Sequence, residues 1–421
     1  MSPLGAAGSE IVERIRRLEG GGLRTFVEDD PLVWERADGA CVEDADGRRY
    51  IDLYGGYAVA VTGYGHPAVV EAIHRQAAEL IHCPSAHPSR VRAQFLEAIA
   101  TIAPPGLDRI LPAVTGAMAN ELALAVARTR RPGGEVITFG GSYFGRGAGV
   151  VGLAGKPRYR EALGLPAAGR SVPFPDPLTS GADATDAALR DLDGIAVAGT
   201  PISAVICEPI LGNGGIVIPP DDFLPRLRTF CDRTGALLIV DEIQSGFGRT
   251  GRTWAVDHVD VVPDLLTIGK GIGGGMGVAG VLGRADLLMW PPDTYTSTFL
   301  TNAVTLAAAT ASVGVLHDER LVERSAKLGG SALDVMRSRL GELDGVVDVR
   351  GRGLWIGIEL ADGDGAAGVL RQARREGVIV GRGGMREQVI KLSPPLVIEE
   401  RDLEAGLHAV GRSVERVLGA A

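Results

Sequence analysis

Lysine is scarce in this chain. Of 43 basic residues among 421, only Lys156, Lys270, Lys327 and Lys391 are not arginine, so each lysine stands where the default cation was not used. A positive balance is missing too: 43 basic against 52 acidic side chains leave a net charge of −9. That argues against nucleic acid or an anionic membrane as the main partner. No run approaches the roughly 18 apolar residues of a membrane span, and the opening segment MSPLGAAGSEIVERIRRLEGGG has no apolar signal region. A cytoplasmic protein is the expectation. The four cysteines (Cys41, Cys83, Cys207, Cys231) form no CxxC pair. His82 and His87 lie near Cys83 without a second cluster, so free thiols and no metal are expected. The GxxxxGK[ST], HExxH and GxSxG patterns are absent. Matches to GxGxxG or GxGxxA, as at Gly63-Gly65-Ala68, Gly246-Gly248-Gly251 and Gly269-Gly271-Gly274, are expected by chance among 60 glycines. None is a strand-ending turn leading straight into a strong helix, which argues against a dinucleotide fold.

What remains is an ordinary globular composition, 45% hydrophobic and 23% charged, with ample core material. At roughly 150 residues per domain the length allows two or three domains. Residues 1–30 hold a short amphipathic segment and a glycine break. Ala37-Asp38-Gly39 and Ala45-Asp46-Gly47 read as turns between short strands. Helical spacing predicts helices over Pro67–Leu80, Arg90–Ile102 and Ala119–Arg130. Short apolar runs then alternate with helical or loop stretches: Val136–Phe139, Ala204–Cys207, Leu237–Val240, Leu265–Ile268 and Ala279–Leu282. Doubly buried parallel strands look like this, with chemistry expected at their carboxyl ends. One long helical stretch is predicted from Asn302 to about Gly341. A β-rich piece (Val346–Leu360), a helix (Gly365–Glu376), two strands and a final helix (Arg401–Leu418) follow. The fold class is α/β: a large domain (66–315) with a mostly parallel sheet flanked by helices, and a smaller α+β domain built from both chain ends (1–65 and 316–421).

Two strand ends carry the chemistry. The run Leu237–Val240 ends in Asp241 and continues as DEIQSGFGRTG. An acid there faces a ligand crevice, or else serves as a cap or turn residue. The next apolar run ends TIGKGIGGG, placing Lys270 between two glycines. Poor solvation there lowers an ammonium pKa towards a usable nucleophile; the alternative is a lysine reaching out to solvent. Together an acid and a lysine suit a pyridine-aldehyde cofactor: the lysine forms the imine and the carboxylate keeps the ring nitrogen protonated. Thr115-Gly116-Ala117, just before a strong helix, offers free backbone N–H groups for a phosphate, a weak signal when taken alone.

With these residues in place, the chain resembles the class III, pyridoxal-phosphate-dependent aminotransferases of fold type I, from about Pro31 to Leu418. The pair DEIQSGFGRTG and PDLLTIGKGIGGG carries the resemblance. It implies that Lys270 holds pyridoxal 5'-phosphate as a Schiff base and that Asp241 pairs with the pyridine nitrogen. Ile243 would pack on one ring face, Tyr143 (in GSYFGRG) on the other, with Gln244 beside the phenolic oxygen. Gly116 and Ala117 match the phosphate loop, and Glu208 (in EPILGNGG) would lie beside cofactor and substrate. Thr298 (in TSTFLTNAV) matches a threonine supplied by the neighbouring subunit, which implies a homodimer with shared active sites. Arg146 matches a carboxylate-binding arginine of the ornithine-type branch, and Tyr57 falls in a substrate-lining segment. The resemblance implies transfer of an amino group from an amino acid or ω-amine to a 2-oxo acid in a ping-pong cycle. Lys270 would move the proton as base and acid. An amino-acid racemase or epimerase, or a decarboxylase or lyase, is the alternative on the same fold.

Some positions depart from the family. The segment VIKLSPPL has Lys391 where arginine commonly grips a substrate carboxylate with a two-pronged bond that an ammonium cannot copy. Lys391 is read here as substrate-facing, against a surface or structural role. Phe144 replaces a frequent histidine, and Leu300-Thr301 replaces a Gly-Gly pair, which predicts a reshaped, more apolar pocket. His66 and His74 read as structural.

Overall fold

The computed structural model describes residues 5–22 and 31–419. The amphipathic opening segment forms the helix Ala6–Leu18, and the rest of that reading, at 1–4 and 23–30, lies outside the described residues. Strands β1 (Trp34–Asp38), β2 (Cys41–Asp44) and β3 (Arg49–Asp52) pair antiparallel. Their turns use Gly39 at φ 55° and Gly47 at φ 78°, a region open to glycine at little cost. The early helices run Pro67–Glu79, Arg90–Ala100 and Gly116–Arg130, the last starting three residues before the periodic pattern because Thr115 caps it.

All five central apolar runs become strands of one seven-stranded sheet: β4 (Arg109–Ala113), β5 (Glu135–Phe139), β6 (Arg170–Val172), β7 (Ile202–Cys207), β8 (Leu237–Asp241), β9 (Leu265–Ile268) and β10 (Ala279–Gly283). Their order is β4-β10-β9-β8-β7-β5-β6. Neighbours from β6 through β9 are parallel, with Val205, Ile206, Ile239, Val240, Leu265 and Leu266 inaccessible to solvent. β10 is different: it runs antiparallel to both β9 and β4. The segment joining it to β9 holds only a short 3-10 turn, Lys270–Gly273, too little chain for the crossover that a parallel return needs. β4 and β6 carry no clear apolar run, and sequence periodicity does not show them.

The expected single helix after Asn302 is two, Ala303–Asp318 and Leu321–Leu340, broken where Arg320 adopts φ 50°. Then come β11 (Val346–Gly351), β12 (Ile356–Leu360), the helix Gly363–Arg375, β13 (Val378–Ile379), β14 (Gly381–Gly383), β15 (Val389–Leu392) and the helix Glu400–Leu418. β11-β12-β15-β14 form one sheet, whereas β13 joins β3 in parallel, so both ends of the chain share a sheet.

This topology sets the carboxyl ends of β7, β8 and β9 side by side. The late segments are brought against them by close backbone packing. A Cβ on Gly353 (φ 55°) would fall 2.6 Å from the Gly251 nitrogen, and one on Gly251 would fall 2.8 Å from Ala326 Cα. Buried Arg249 donates to the carbonyls of Leu354 (2.9 Å) and Pro394 (2.5 Å), tying the loop after β8 to the chain following β15. Among the described residues no helix is long and apolar enough to cross a membrane.

Gly353→Ala combines an unfavourable φ with a backbone clash. A loss of about 2 kcal/mol or more is expected in urea unfolding followed by circular dichroism. An unchanged midpoint would contradict the packing described.

Candidate active site

Asp241 closes β8, 4% exposed, with its carboxylate fully engaged on one side: Oδ1 accepts from the Ile243 amide (2.9 Å) and Oδ2 from Asn120 Nδ2 (2.7 Å). Asn120 is in turn fixed. Its Nδ2 also donates to the Phe144 carbonyl (3.0 Å), and its Oδ1 accepts from Thr267 on β9 (2.8 Å). Burial raises the Asp241 pKa from the usual carboxylate value, while these donors and the Lys270 charge pull it back. The adjacent Glu242 points the other way, to Ser245 and the Val256 amide, as strand alternation requires.

Lys270 follows β9 by two residues, in the left-handed region at φ 45°. That conformation is uncommon outside glycine and is held here by the packed turn. Gly271 allows the approach, since a Cβ there would reach Val61 Cγ2 at 2.5 Å. Burial depresses the Lys270 pKa below the usual lysine value, opposed by Asp241 and Glu208. Glu208, just past β7, accepts from the Tyr143 amide (2.8 Å) and the Gly212 amide (2.9 Å). Burial, then the Asp241 charge, push it up to about 8. Gln244 lies against Gly212, where any side chain would displace it.

The helix Gly116–Arg130 points its start at the same place. Thr115 caps it through a bond from the Met118 amide to Oγ1 (3.2 Å), while the Gly116 and Ala117 amides have no acceptor within the described chain. Ile243 packs on this cradle: a Cβ on Gly116 would come within 2.8 Å of Ile243 Cδ1. Gly145 lies equally close to Ala117, which holds the Tyr143 loop over the helix start. Orphan amides at a helix N-terminus, a buried carboxylate and a desolvated lysine match the phosphate, ring nitrogen and aldehyde of pyridoxal phosphate.

The outer residues are placed as follows. Lys391 lies in β15, 3% exposed, with its ammonium 5.6 Å from the Tyr54 ring centroid and, among the described residues, no hydrogen bond. It is not a surface residue. Burial, then the Lys270 charge, bring its pKa down to about 8. Tyr57 is exposed, its ring 5.0 Å from that of Tyr54. Arg146 is exposed and stacks on Tyr159 at 4.3 Å, and Tyr159 meets the Tyr143 ring edge-on at 5.8 Å. Thr298 is exposed and, among the described residues of one chain, does not join the cluster. The reshaped apolar pocket is not found. Phe144 packs in the core, Leu300 is buried, and buried Thr301 bonds to the Cys83 carbonyl at 2.9 Å. His66 is structural, capping the helix Pro67–Glu79 and pairing with Glu319 at 2.8 Å. Sequence reading missed Asn120, Tyr54 and Tyr159. The signal for Asn120 was a polar residue on the apolar face of a helix, one turn from Gly116. Among the described residues no cluster of His, Cys, Asp and Glu could hold a metal.

The family model for aminotransferase class-III matches residues 26–414. The chain belongs to the class-III aminotransferase family. It is similar to acetylornithine aminotransferase from Methanothermobacter thermautotrophicus, 36% identical over 407 residues covering 96% of this chain and 98% of that one. It is also similar to alanine/serine racemase from Pyrococcus horikoshii, 30% identical over 444 residues, 99% and 92% covered. Among solved structures, ornithine aminotransferase from Toxoplasma gondii, described with pyridoxal phosphate partially occupying its active site, aligns with a TM-score of 0.87. It is 28% identical, with 98% of this chain and 95% of that one covered. This aminotransferase therefore uses pyridoxal phosphate to move an amino group from a donor to a 2-oxo acid. Its α/β architecture is that of the fold type I enzymes.

Asn120→Ala removes a charge-assisted bond to Asp241, about 1.5–3 kcal/mol. Steady-state kinetics should show kcat roughly ten- to hundredfold lower, with weaker cofactor retention on dialysis. Wild-type values for both would exclude a role for Asn120 in holding Asp241.

Proposed function

We propose that this aminotransferase takes donors that are amino acids or ω-amines bearing a carboxylate, in the manner of the ornithine-type relatives, with Arg146 and Lys391 receiving substrate carboxylates and Tyr57 lining the entrance. The observation that carries this reading is that Arg146 and Lys391 border the cluster with no acid within ion-pair distance among the described residues. Buried Lys156 and Arg350 each pair with an acid, and a buried ammonium that lacks one, as at Lys391, suits an acidic substrate.

Pyridoxal phosphate, when bound, supplies an electron-accepting ring. The residues do the rest. Lys270 Nζ would hold the cofactor, and its amine would carry the proton from the donor carbon. Asp241 keeps a proton on the ring nitrogen. Gly116 and Ala117 would hold the phosphate, Ile243 and Tyr143 would bracket the ring, and Gln244 would sit by the phenolic oxygen. Burial pushes Glu208 towards its neutral form, which weakens its hold on the neighbouring cations. Residues 66–315 form the cofactor-binding unit in this reading, with 1–65 and 316–421 the smaller one.

A homodimer in the cytoplasm completes the proposal. Ile81, Met289 and Phe299 are exposed apolar residues. The segments that carry Ile81 and Phe299 touch through His82 and Phe299, with ring centroids 5.6 Å apart. They lie beside Thr298, which would reach the partner's site. Transamination is favoured over racemisation by the family match and the acetylornithine aminotransferase relatives.

The deciding experiment is an absorbance titration of the holoenzyme with single donors and no 2-oxo acid. The visible band should bleach once, giving about one carbonyl product per site, and turnover should resume when a 2-oxo acid is added. A persistent band with loss of optical activity would instead mean racemisation. Lys270→Ala should show neither band shift nor multiple turnover, and Asp241→Asn should lose several orders of magnitude in kcat with cofactor still bound. Sedimentation should give a dimer; an active monomer would remove the shared-site role of Thr298.

A further inference from the structure

Two of the four lysines, Lys391 and Lys156, bear on the β14–β15 hairpin: Lys391 Nζ lies over Gly383, and Lys156 bonds to Glu387 in the connection. Lys156 is 3% exposed although arginine is the chain's usual cation. Lys156 Nζ donates to Glu387 Oε1 at 2.8 Å, and Arg158 donates to the same oxygen at 2.5 Å. Glu387 is held by residues far away in sequence and sits at φ 61°, an uncommon conformation for a side chain of its size. It lies four residues before Lys391, at the end of the β14–β15 connection.

Lys391 itself has little choice of partner. Its neighbours across the two adjacent strands are Gly381 and Gly357, which offer no side chain. Its stem lies along Gly383, where a Cβ would come within 3.0 Å of Cδ and Cε. The groups facing it are Lys270 and Glu208 at the strand ends, the Tyr54 ring, Lys156 and Glu387, with Arg382 on β14 reaching Glu387 Oε2 at 4.0 Å. Two of these are lysines and repel it. Glu387 is the acid on its outer side.

We propose that the Lys156–Glu387 ion pair is a positioning device for substrate carboxylate binding: Glu387 keeps the Lys391 ammonium charged beside Lys270, and Lys156 fixes Glu387 there while limiting that effect. This rests on the reading of Lys391 as a carboxylate-binding residue. It explains how lysine can serve where an arginine would stay charged unaided. Burial and Lys270 favour the neutral amine, Lys156 adds to them, and Glu387, then Glu208 more weakly, oppose all three. Removing Glu387 therefore lowers the pH at which Lys391 loses its proton; removing Lys156 raises it, since Arg158 still holds Glu387.

The test is an NMR pH titration of holoenzyme labelled with [ε-13C]lysine. Four lysines give few resonances, and Lys391→Met assigns the relevant one by its loss. Glu387→Gln should shift the Lys391 midpoint down by about 0.5–1 pH unit and Lys156→Met should shift it up. The alkaline limb of kcat/KM for a carboxylate donor should move the same way in each variant. Should Glu387→Gln fail to fold, Lys156→Met reads the same coupling with opposite sign. An unmoved midpoint, or one moving in the same direction in both variants, overturns the inference. A Lys391→Met enzyme with wild-type KM overturns the carboxylate-binding reading instead, and the resonance alone then decides whether the pair controls the charge.

Discussion

A carboxylate removed from water must be paid for by donors built into the fold, and much of this site follows from that requirement at Asp241. Its two oxygens take a backbone amide from its own turn and an amide from the helix Gly116–Arg130, while that second donor is steered by Thr267 on the neighbouring strand. The same helix therefore does two jobs. Its first turn presents orphan amides, and its second turn orients the acid. Moving the helix along its axis to improve one would spoil the other, which fixes the distance between a phosphate site and a ring-nitrogen site to that between Gly116 and Asn120. Glycine at 116 is needed for the same reason, because Ile243 fills the space where a side chain would stand.

Parallel strands supply the second constraint. β7, β8 and β9 deliver Glu208, Asp241 and Lys270 at one edge, and their proximity in a low-dielectric region pushes each away from its solution titration range. Glu208 and Lys270 are pushed towards neutrality, the acid up and the base down. A neutral lysine is the form that can attack a carbonyl or accept a proton, so the burial that costs stability prepares the chemistry.

The sequence makes some of this legible and hides the rest for identifiable reasons. Asp241 and Lys270 are visible because each ends an apolar run, and strand ends are local signals. The antiparallel course of β10 is also local, in retrospect: ten residues between Ile268 and Ala279 cannot hold a crossover helix. The break at Arg320 is less so, since no glycine or proline marks it. Asn120, Tyr54 and the Lys156–Glu387 pair escape because their meaning lies in partners 121, 337 and 231 residues away. Phe144, Leu300 and Thr301 mislead for the converse reason. Each aligns with a pocket position, yet its side chain is consumed by the chain's own interior.

Lysine and arginine divide the work along chemical lines. Arg249 is as buried as any residue in the molecule, and its Nη1 alone donates to two carbonyls from separate segments, Leu354 and Pro394, a structural task. Even pushed down to about 9 it keeps its proton at neutral pH. Conversely, a guanidinium at Lys391 would stay charged whatever its neighbours did, and Glu387 and Lys156 would have nothing to set. Lys327 is on the surface. A chain that defaults to arginine has thus kept lysine at 270 and 391, where burial depresses the ammonium, and those two positions tie a compositional oddity to the chemistry of a single site.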